Sequence, residues 1–155
     1  GILALHPEPG PLAPMVERAV AQYLPKAKAG QIRLSIGQMQ GSACFDPKWT
    51  EEALCNLLDN AVKYTPVGGS VTVDVRPYEM FTAVCVRDTG PGIPEAEQAA
   101  IFGRFYRGPD ARQAEGLGIG LYLTRQIAAG QGGYIRVKSA PGQGSTFSLY
   151  LPREA

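Results

Sequence analysis

From Ala13 to Ala29 the apolar residues Val16, Ala19, Val20 and Tyr23–Leu24 fall at helical spacing. Pro25 lies inside this stretch, and a proline removes one amide donor and crowds the preceding turn, so the pattern predicts a helix broken there. Ile32, Leu34 and Ile36 then alternate with Arg33 and Ser35, the period of a strand, and a second short strand is predicted over Ala43 to Phe45. After Asp46 the helical period returns. Asp46 can cap a helix, Pro47 suits its first position, and Glu51 and Glu52 suit its positive end. On this helix Leu54, Leu57, Leu58, Ala61 and Val62 share one arc, while Glu52, Asn56, Asp59, Asn60 and Lys63 share the other. One face belongs to a core and the other is polar.

Thr65-Pro66-Val67-Gly68-Gly69 stops that helix. Val71, Val73 and Val75 alternate with polar residues, and a turn near Pro77 to Glu79 leads to a strand near Phe81 to Arg87, which predicts an antiparallel hairpin. Residues 88–116 read as a loop with a short helical piece around Ala96 to Phe102. A helix follows from about Gly118 to Ala129, and Gly132–Gly133 break it. Tyr134 to Ser139 and Thr146 to Leu151 are the last two strands, joined through Pro-Gly-Gln-Gly. This order predicts an α+β two-layer sandwich: a mixed, mainly antiparallel sheet of about five strands packed on about three helices. It lacks the βαβ alternation of a doubly wound dinucleotide fold. The first dozen residues are punctuated by prolines and read as a linker or an incoming extended arm.

Composition narrows the classes without choosing among them. A chain of 155 residues suits one domain with a sizeable core. Its formal net charge of +1 gives no electrostatic footprint for nucleic acid or an anionic membrane. No apolar run approaches the ~20 residues of a membrane span, and no basic leader is visible. The three cysteines, Cys44, Cys55 and Cys85, form no CxxC pair and read as reduced packing residues of a cytosolic domain.

The candidate chemistry begins with asparagine. The chain has only two, Asn56 and Asn60, one turn apart on the polar face of the second helix. Asparagine is a mediocre mid-helix residue, so the pair marks a use for two side-chain amides. Gly-Leu-Gly-Ile-Gly at 116–120 opens a helix whose free N–H groups can face phosphate oxygens, although a string like this taken alone is more often a plain turn and cap. Asp88-Thr89-Gly90-Pro91-Gly92-Ile93-Pro94 follows an apolar strand. An aspartate there must find donors, either an exocyclic amine such as adenine's or its own loop in an Asx turn. Lys63 can meet a phosphate or pair with Asp59. Arg104, Arg107 and Arg112 bring charge to the long loop, where Phe102 and Phe105 read as anchors that pin a lid.

The order of these motifs resembles the ATP-binding domain of sensor histidine kinases, members of the Bergerat-fold group with gyrase, Hsp90 and MutL. NLLDNAVKYTP is similar to that family's N box, DTGPGIP to its G1 box, IFGRFYRG to its F box and GLGIGLYLTRQI to its G2 box, with GQGSTFSLYLP as the closing strand. The resemblance runs from about Pro14 to Pro152. It implies ATP and Mg²⁺ as cofactors, with Asn60 as the metal ligand. Asn56 and Lys63 would lie near the phosphates and Tyr64 near the nucleotide. Asp88 would accept from adenine N6, Gly90 and Gly92 would allow close approach, and Ile93 would wall the base. Gly116, Leu117, Gly118, Ile119, Gly120 and Leu121 would cradle the phosphates, Phe105 and Arg107 would contribute from the lid, and Thr146 would approach the adenine.

Asn56 also separates reaction classes. In the hydrolysing branches of the family a glutamate at this place activates water, and an amide has no such basic site. The resemblance therefore implies a protein-histidine kinase that hands its γ-phosphoryl to a histidine on a separate domain, for onward transfer to a response regulator. It implies residues 13–155 as the catalytic domain and residues 1–12 as the link to an upstream dimerisation and histidine phosphotransfer domain. The parent would be a homodimer anchored in the cell membrane with this domain, monomeric alone, in the cytoplasm. His6, the one histidine, sits among prolines that exclude a long acceptor helix. Gln131 stands where many members carry a histidine, a change expected to matter little. A nucleotide-gated interaction module and an anti-sigma-type serine kinase are the other readings.

Overall fold

The computed structural model describes residues 3–103 and 117–154. Its elements are β1 (Glu8–Pro11), α1 (Ala13–Ala29), β2 (Arg33–Ile36), β3 (Ser42–Phe45), α2 (Pro47–Tyr64), β4 (Ser70–Pro77), β5 (Phe81–Asp88), α3 (Glu95–Gln98), α4 (Leu117–Gly130), β6 (Tyr134–Ser139) and β7 (Ser145–Pro152), with a 3₁₀ turn over Ala100–Phe102. Five strands form one sheet in the order β2-β4-β5-β7-β6. Only β2 and β4 pair in parallel; the other three ladders are antiparallel.

The three long helices cover one side of this sheet, as the two-layer expectation has it. Valine alternation explains which side: Val71, Val73 and Val75 of β4 are fully buried and lie opposite Asp88, Val86 and Val84 of β5. Leu54, Leu57, Leu58, Ala61 and Val62 of α2 bury the predicted arc against them. Each fully buried leucine contributes about 1.5–3 kcal/mol, and Leu58→Ala would cost about 2–5 kcal/mol because the site cannot collapse around the void. Asp46 caps α2 as its sequence predicts, its carboxylate accepting from Trp49 N–H at 2.9 Å, and Pro47 occupies the first turn. Glu51 binds away from the helix end, to Arg18 at 3.0 Å and Gln22 at 3.2 Å on α1.

Two findings revise the sequence reading. Helix α1 runs unbroken through Pro25. Ala21, whose carbonyl loses its helical partner to that proline, lies on the exposed side with Pro25 itself, so water takes the bond. The proline-punctuated arm is also ordered structure: β1 pairs antiparallel with β3, Glu8 opposite Phe45, and Leu12 just after it is completely buried.

Gln131, which stands where many members of the resembled family carry a histidine, is a buried hub. Its side-chain oxygen accepts from Asp46 N–H, its amide donates to the Ile127 carbonyl at 3.2 Å, and both ends contact the Thr50 hydroxyl, at 3.1 and 3.3 Å. It joins the end of α4 to the start of α2. Asp46 in turn accepts from His6 N–H at 2.8 Å, which fastens the N-terminal arm to the same point.

Candidate nucleotide site

The candidate residues gather at two places, one built on the sheet and one between helices. On the sheet, β5 ends at Asp88, on the helix-facing side with Val84 and Val86. Asp88 Oδ1 accepts from Gly90 N–H at 2.8 Å and from Ser145 N–H at 3.2 Å. Oδ2 makes no hydrogen bond among the described residues. One oxygen therefore caps the Asx turn that the sequence allows, and the other has no donor among the described residues. Burial pushes the Asp88 carboxyl above the usual aspartate range, and its two backbone donors offset this only in part.

A side chain would be crowded at Gly90 and is excluded at Gly92. A Cβ on Gly90 would sit 3.0 Å from Asp88 Oδ1 and 3.4 Å from the Tyr64 carbonyl. Gly92 has φ +79°, and a Cβ there would run into the Ala140 carbonyl. The loop is therefore backed onto the β6–β7 turn, where Gly142 N–H also donates to the Pro91 carbonyl at 2.7 Å. Ile93, half-buried, donates its N–H to Ser139 Oγ at 2.8 Å. Gln98 on α3 donates to the carbonyls of Ile93 (2.9 Å) and Ser139 (2.8 Å).

Strand register corrects one assignment. Cross-strand partners share a face, and Ser145 is the partner of Asp88 whereas Thr146 is the partner of Arg87. The hydroxyl on Asp88's side is that of Ser145; Thr146 lies on the opposite face of the sheet.

Between the helices, the polar face of α2 meets the start of α4. Asn56 is half-buried and its Nδ2 donates to the Gly120 carbonyl at 3.3 Å. Asn60, one turn on, is half-buried and its amide has no hydrogen-bond partner among the described residues. Lys63 is exposed and Tyr64 half-buried in the last turn. No group of three or more His, Cys, Asp or Glu among the described residues is arranged to hold a metal. A single uncommitted amide oxygen fits Mg²⁺, which keeps waters and shares phosphate oxygens and needs no all-protein cage.

Leu117, Gly118, Ile119 and Gly120 form the first turn of α4, the place for phosphate at a helix N-terminus. Leu121 is 4% exposed with its side chain in the core, so only its backbone is on offer. Gly116, Phe105 and Arg107, with Arg104 and Arg112, lie outside the described residues. Phe102 is the predicted anchor: it is buried, its ring edge-on to Phe147 at 6.2 Å. The sequence reading missed Ser139, Ser145 and Gln98. Their partners are 5 to 57 positions away in sequence, and isolated serines in a turn carry no pattern.

The family model described as histidine kinase-, DNA gyrase B- and HSP90-like ATPase matches residues 45–155. The chain is 40% identical over 144 residues to the adaptive-response sensory kinase SasA of Synechococcus sp. (strain JA-3-3Ab), covering 91% of this chain and 38% of that protein. It is 32% identical over 153 residues to the signal transduction histidine-protein kinase/phosphatase MprB of Mycolicibacterium smegmatis, covering 96% of this chain and 31% of that protein. The solved mycobacterial sensor histidine kinase MprB superposes with a TM-score of 0.83 at 27% identity, over 96% of this chain and 99% of that one. The chain thus spans about a third of the length of these two curated relatives.

Proposed function

This chain belongs to the histidine kinase-, DNA gyrase B- and HSP90-like ATPase family, as the ATP-binding catalytic domain type of histidine kinases, and from that premise we propose that it binds Mg·ATP and donates the γ-phosphoryl to a histidine on a separate domain. The observation that carries this reading is the meeting of α2 and α4. Asn56 bonds to Gly120, so the paired amides stand beside the helix start that would receive the phosphates. An asparagine, not a carboxylate, occupies the place nearest the phosphates, and it cannot deprotonate a water. Asp88 Oδ2, without a donor among the described residues, would accept from the adenine amine.

Asn60 would hold Mg²⁺, which when bound neutralises phosphate charge and fixes the reacting oxygens. The chain's own share is positioning: the α4 N-terminus holds the phosphates, Asp88 fixes the base, and Lys63 lies at the end of the same polar face. Arg107 and Phe105 are proposed as lid contacts. The acceptor would be the dimerisation and histidine phosphotransfer domain of the parent, with a response regulator as final recipient. The parent would be an anchored homodimer with this domain in the cytoplasm. No described helix is long and apolar enough to cross a membrane. The interaction-module reading needs Phe102 on a docking surface, whereas Phe102 is buried in this chain's own core.

The test is transfer. The isolated chain should bind ATP with Mg²⁺ yet acquire no acid-labile label from γ-labelled ATP, and should label a separately supplied acceptor domain. Stable labelling of the chain itself, or brisk steady-state hydrolysis, would refute the reading.

A further inference from the structure

The long helices cover one side of the sheet, and the other side has a pattern of its own. Strand register fixes which residues it carries. Arg76, Ala83, Tyr150 and Tyr134 form one row across β4, β5, β7 and β6; Asp74, Cys85, Ser148 and Arg136 form the next; Thr72, Arg87, Thr146 and Lys138 form the third. Arg33 joins this face from β2, opposite Ser70. The strands thus present five exposed cations here, Arg33, Arg76, Arg87, Arg136 and Lys138. Against them stands one carboxylate, Asp74, which is buried and lies 3.4 Å from Arg76. Arg33, Arg87 and Lys138 make no ion pair among the described residues. The whole chain carries a net charge of +1, so this face gathers positive charge that the rest of the molecule balances. Cations on an edge strand can serve to block strand addition, which accounts for those of β6. It does not account for Arg76 and Arg87, because β4 and β5 are interior strands.

One end of the same face is apolar. Tyr78 and Met80, in the turn between β4 and β5, are 47% and 72% exposed, and Tyr134 is exposed beside them. Tyr134 stacks on Tyr150 with 4.5 Å between ring centroids, Phe81 meets both rings edge-on at 5.1 and 6.5 Å, and Tyr78 lies 6.0 Å from Tyr150. The Arg136 guanidinium sits over the Tyr134 ring, 5.4 Å from its centroid. Engaged by Tyr150 and Arg136, that ring is not open to stack on a base, unlike the aromatic platforms that hold single-stranded nucleic acid. Between the tyrosines and the third row the floor is made of small buried side chains, Ala83, Cys85 and Ser148.

We propose that this outer face of the sheet is a docking surface for an acidic protein segment that also carries aliphatic side chains. Its carboxylates lie over the Cys85–Ser148 floor, between Arg87 and Arg136, and its aliphatic groups rest on Met80 and the tyrosine cluster. The single sign of the charge selects an anionic partner. The apolar end selects a protein segment over a simple anion. The assignment does not depend on nucleotide, because Asp88 and helices α2 and α4 belong to the other side of the sheet.

The probe is a short synthetic peptide alternating glutamate with leucine, titrated into the isotope-labelled chain and followed by amide chemical shifts. A polyglutamate of the same length and an oligothymidylate are the comparators. Shifts should gather on the outer face of β5, β7 and β6 and at the Tyr78–Met80 turn, leave α2 and α4 unmoved, and shrink with added salt. Polyglutamate should bind more weakly than the leucine-bearing peptide. Reversing two charges together, Arg87→Glu with Arg136→Glu, should weaken the peptide by about tenfold or more. Met80→Ser should weaken it severalfold. All three positions are exposed, so thermal unfolding and ATP affinity should stay as in the wild type. The proposal is overturned by any of four results: no outer-face shift at millimolar peptide, an affinity within twofold of wild type after the double reversal, polyglutamate binding as tightly as the leucine-bearing peptide, or oligothymidylate binding more tightly than either, which assigns the face to nucleic acid.

Discussion

Replacing Gln131 by leucine keeps its bulk and removes its amide. Two buried groups then lose partners: the Asp46 N–H, which donates to the Gln131 oxygen, and the Ile127 carbonyl, which accepts from its nitrogen. Helix α4 closes through bonds of shorter span, Gln131 N–H to the Ala128 carbonyl and Gly132 N–H to the Ala129 carbonyl, so Gln131's backbone does not serve Ile127. Thr50 is less exposed to loss, because its hydroxyl can rotate toward the preceding turn. Each orphaned buried group costs about 1–3 kcal/mol, and the added apolar surface returns part of this. The net expectation is a loss of about 2–4 kcal/mol, or roughly 5–15 °C in Tm for a domain of this size. Urea unfolding followed by tryptophan fluorescence reads it directly, since Trp49 sits in the first turn of α2 beside the affected cap. The midpoint should fall with the slope unchanged. Gln131→Glu separates hydrogen bonding from shape. Its carboxylate can accept from Asp46 N–H but cannot donate to Ile127, and its folded-state pKa is raised by burial. Its stability is therefore lowest at neutral pH and recovers as pH falls and the acid gains a proton to donate. A Gln131→Leu loss under about 0.5 kcal/mol would refute the idea that this hub fastens α4 to α2.

Asp88 is held above the usual aspartate range, so its protonated form is favoured by folding and it costs stability at neutral pH; that cost disappears as pH falls through the raised value. As an acceptor it must be ionised, so ATP affinity should begin to fall above the ordinary aspartate pKa of about 4, a dependence that Asp88→Asn should flatten. Asn60→Ala should abolish the Mg²⁺ enhancement of ATP binding, measured by calorimetry, while adenosine binding stays unchanged; loss of adenosine binding in this variant would sink the metal assignment. Gly92→Ala combines a left-handed backbone with a collision at Ala140, and should lower Tm by several degrees as well as weaken ATP binding, with calorimetric unfolding as the check.

The parts of the fold readable from sequence are those whose signal is local and repeated. Helix α2 carries an N-cap, a proline at its first turn and five apolar residues on one arc, all within 18 residues. The β4–β5 hairpin declares itself by valine alternation around a turn. Pro25 misled because a proline's cost depends on whether the abandoned carbonyl meets water or a core, and only the packed molecule decides that. The arm before Leu12 is extended, one of its two sequence readings, but its pairing was not legible because its partner, β3, lies more than thirty residues on. Thr146 is one residue from the partner of Asp88, and one residue is a change of face; the register of β7 against β5 is fixed by the whole ladder.

The hydrogen-bond hubs were invisible for a related reason. Gln131 reaches Asp46 across 85 positions, Ser139 meets Ile93 across 46, and Ser145 meets Asp88 across 57. No spacing rule spans such separations. What sequence could supply was the residue types at the two ends of the site, the amides on α2 and the aspartate after β5. Their supports lie on different layers. Asp88 is fixed by β7 and the β6–β7 turn, and Asn56 is fixed by α4. The proposed base contact and the proposed phosphate end are thus carried by parts of the molecule joined through the core between sheet and helices. Phe102 ties the segment after Asp88 to β7, because it is buried with its ring edge-on to Phe147, and a contact across 45 positions is again one that no local spacing declares.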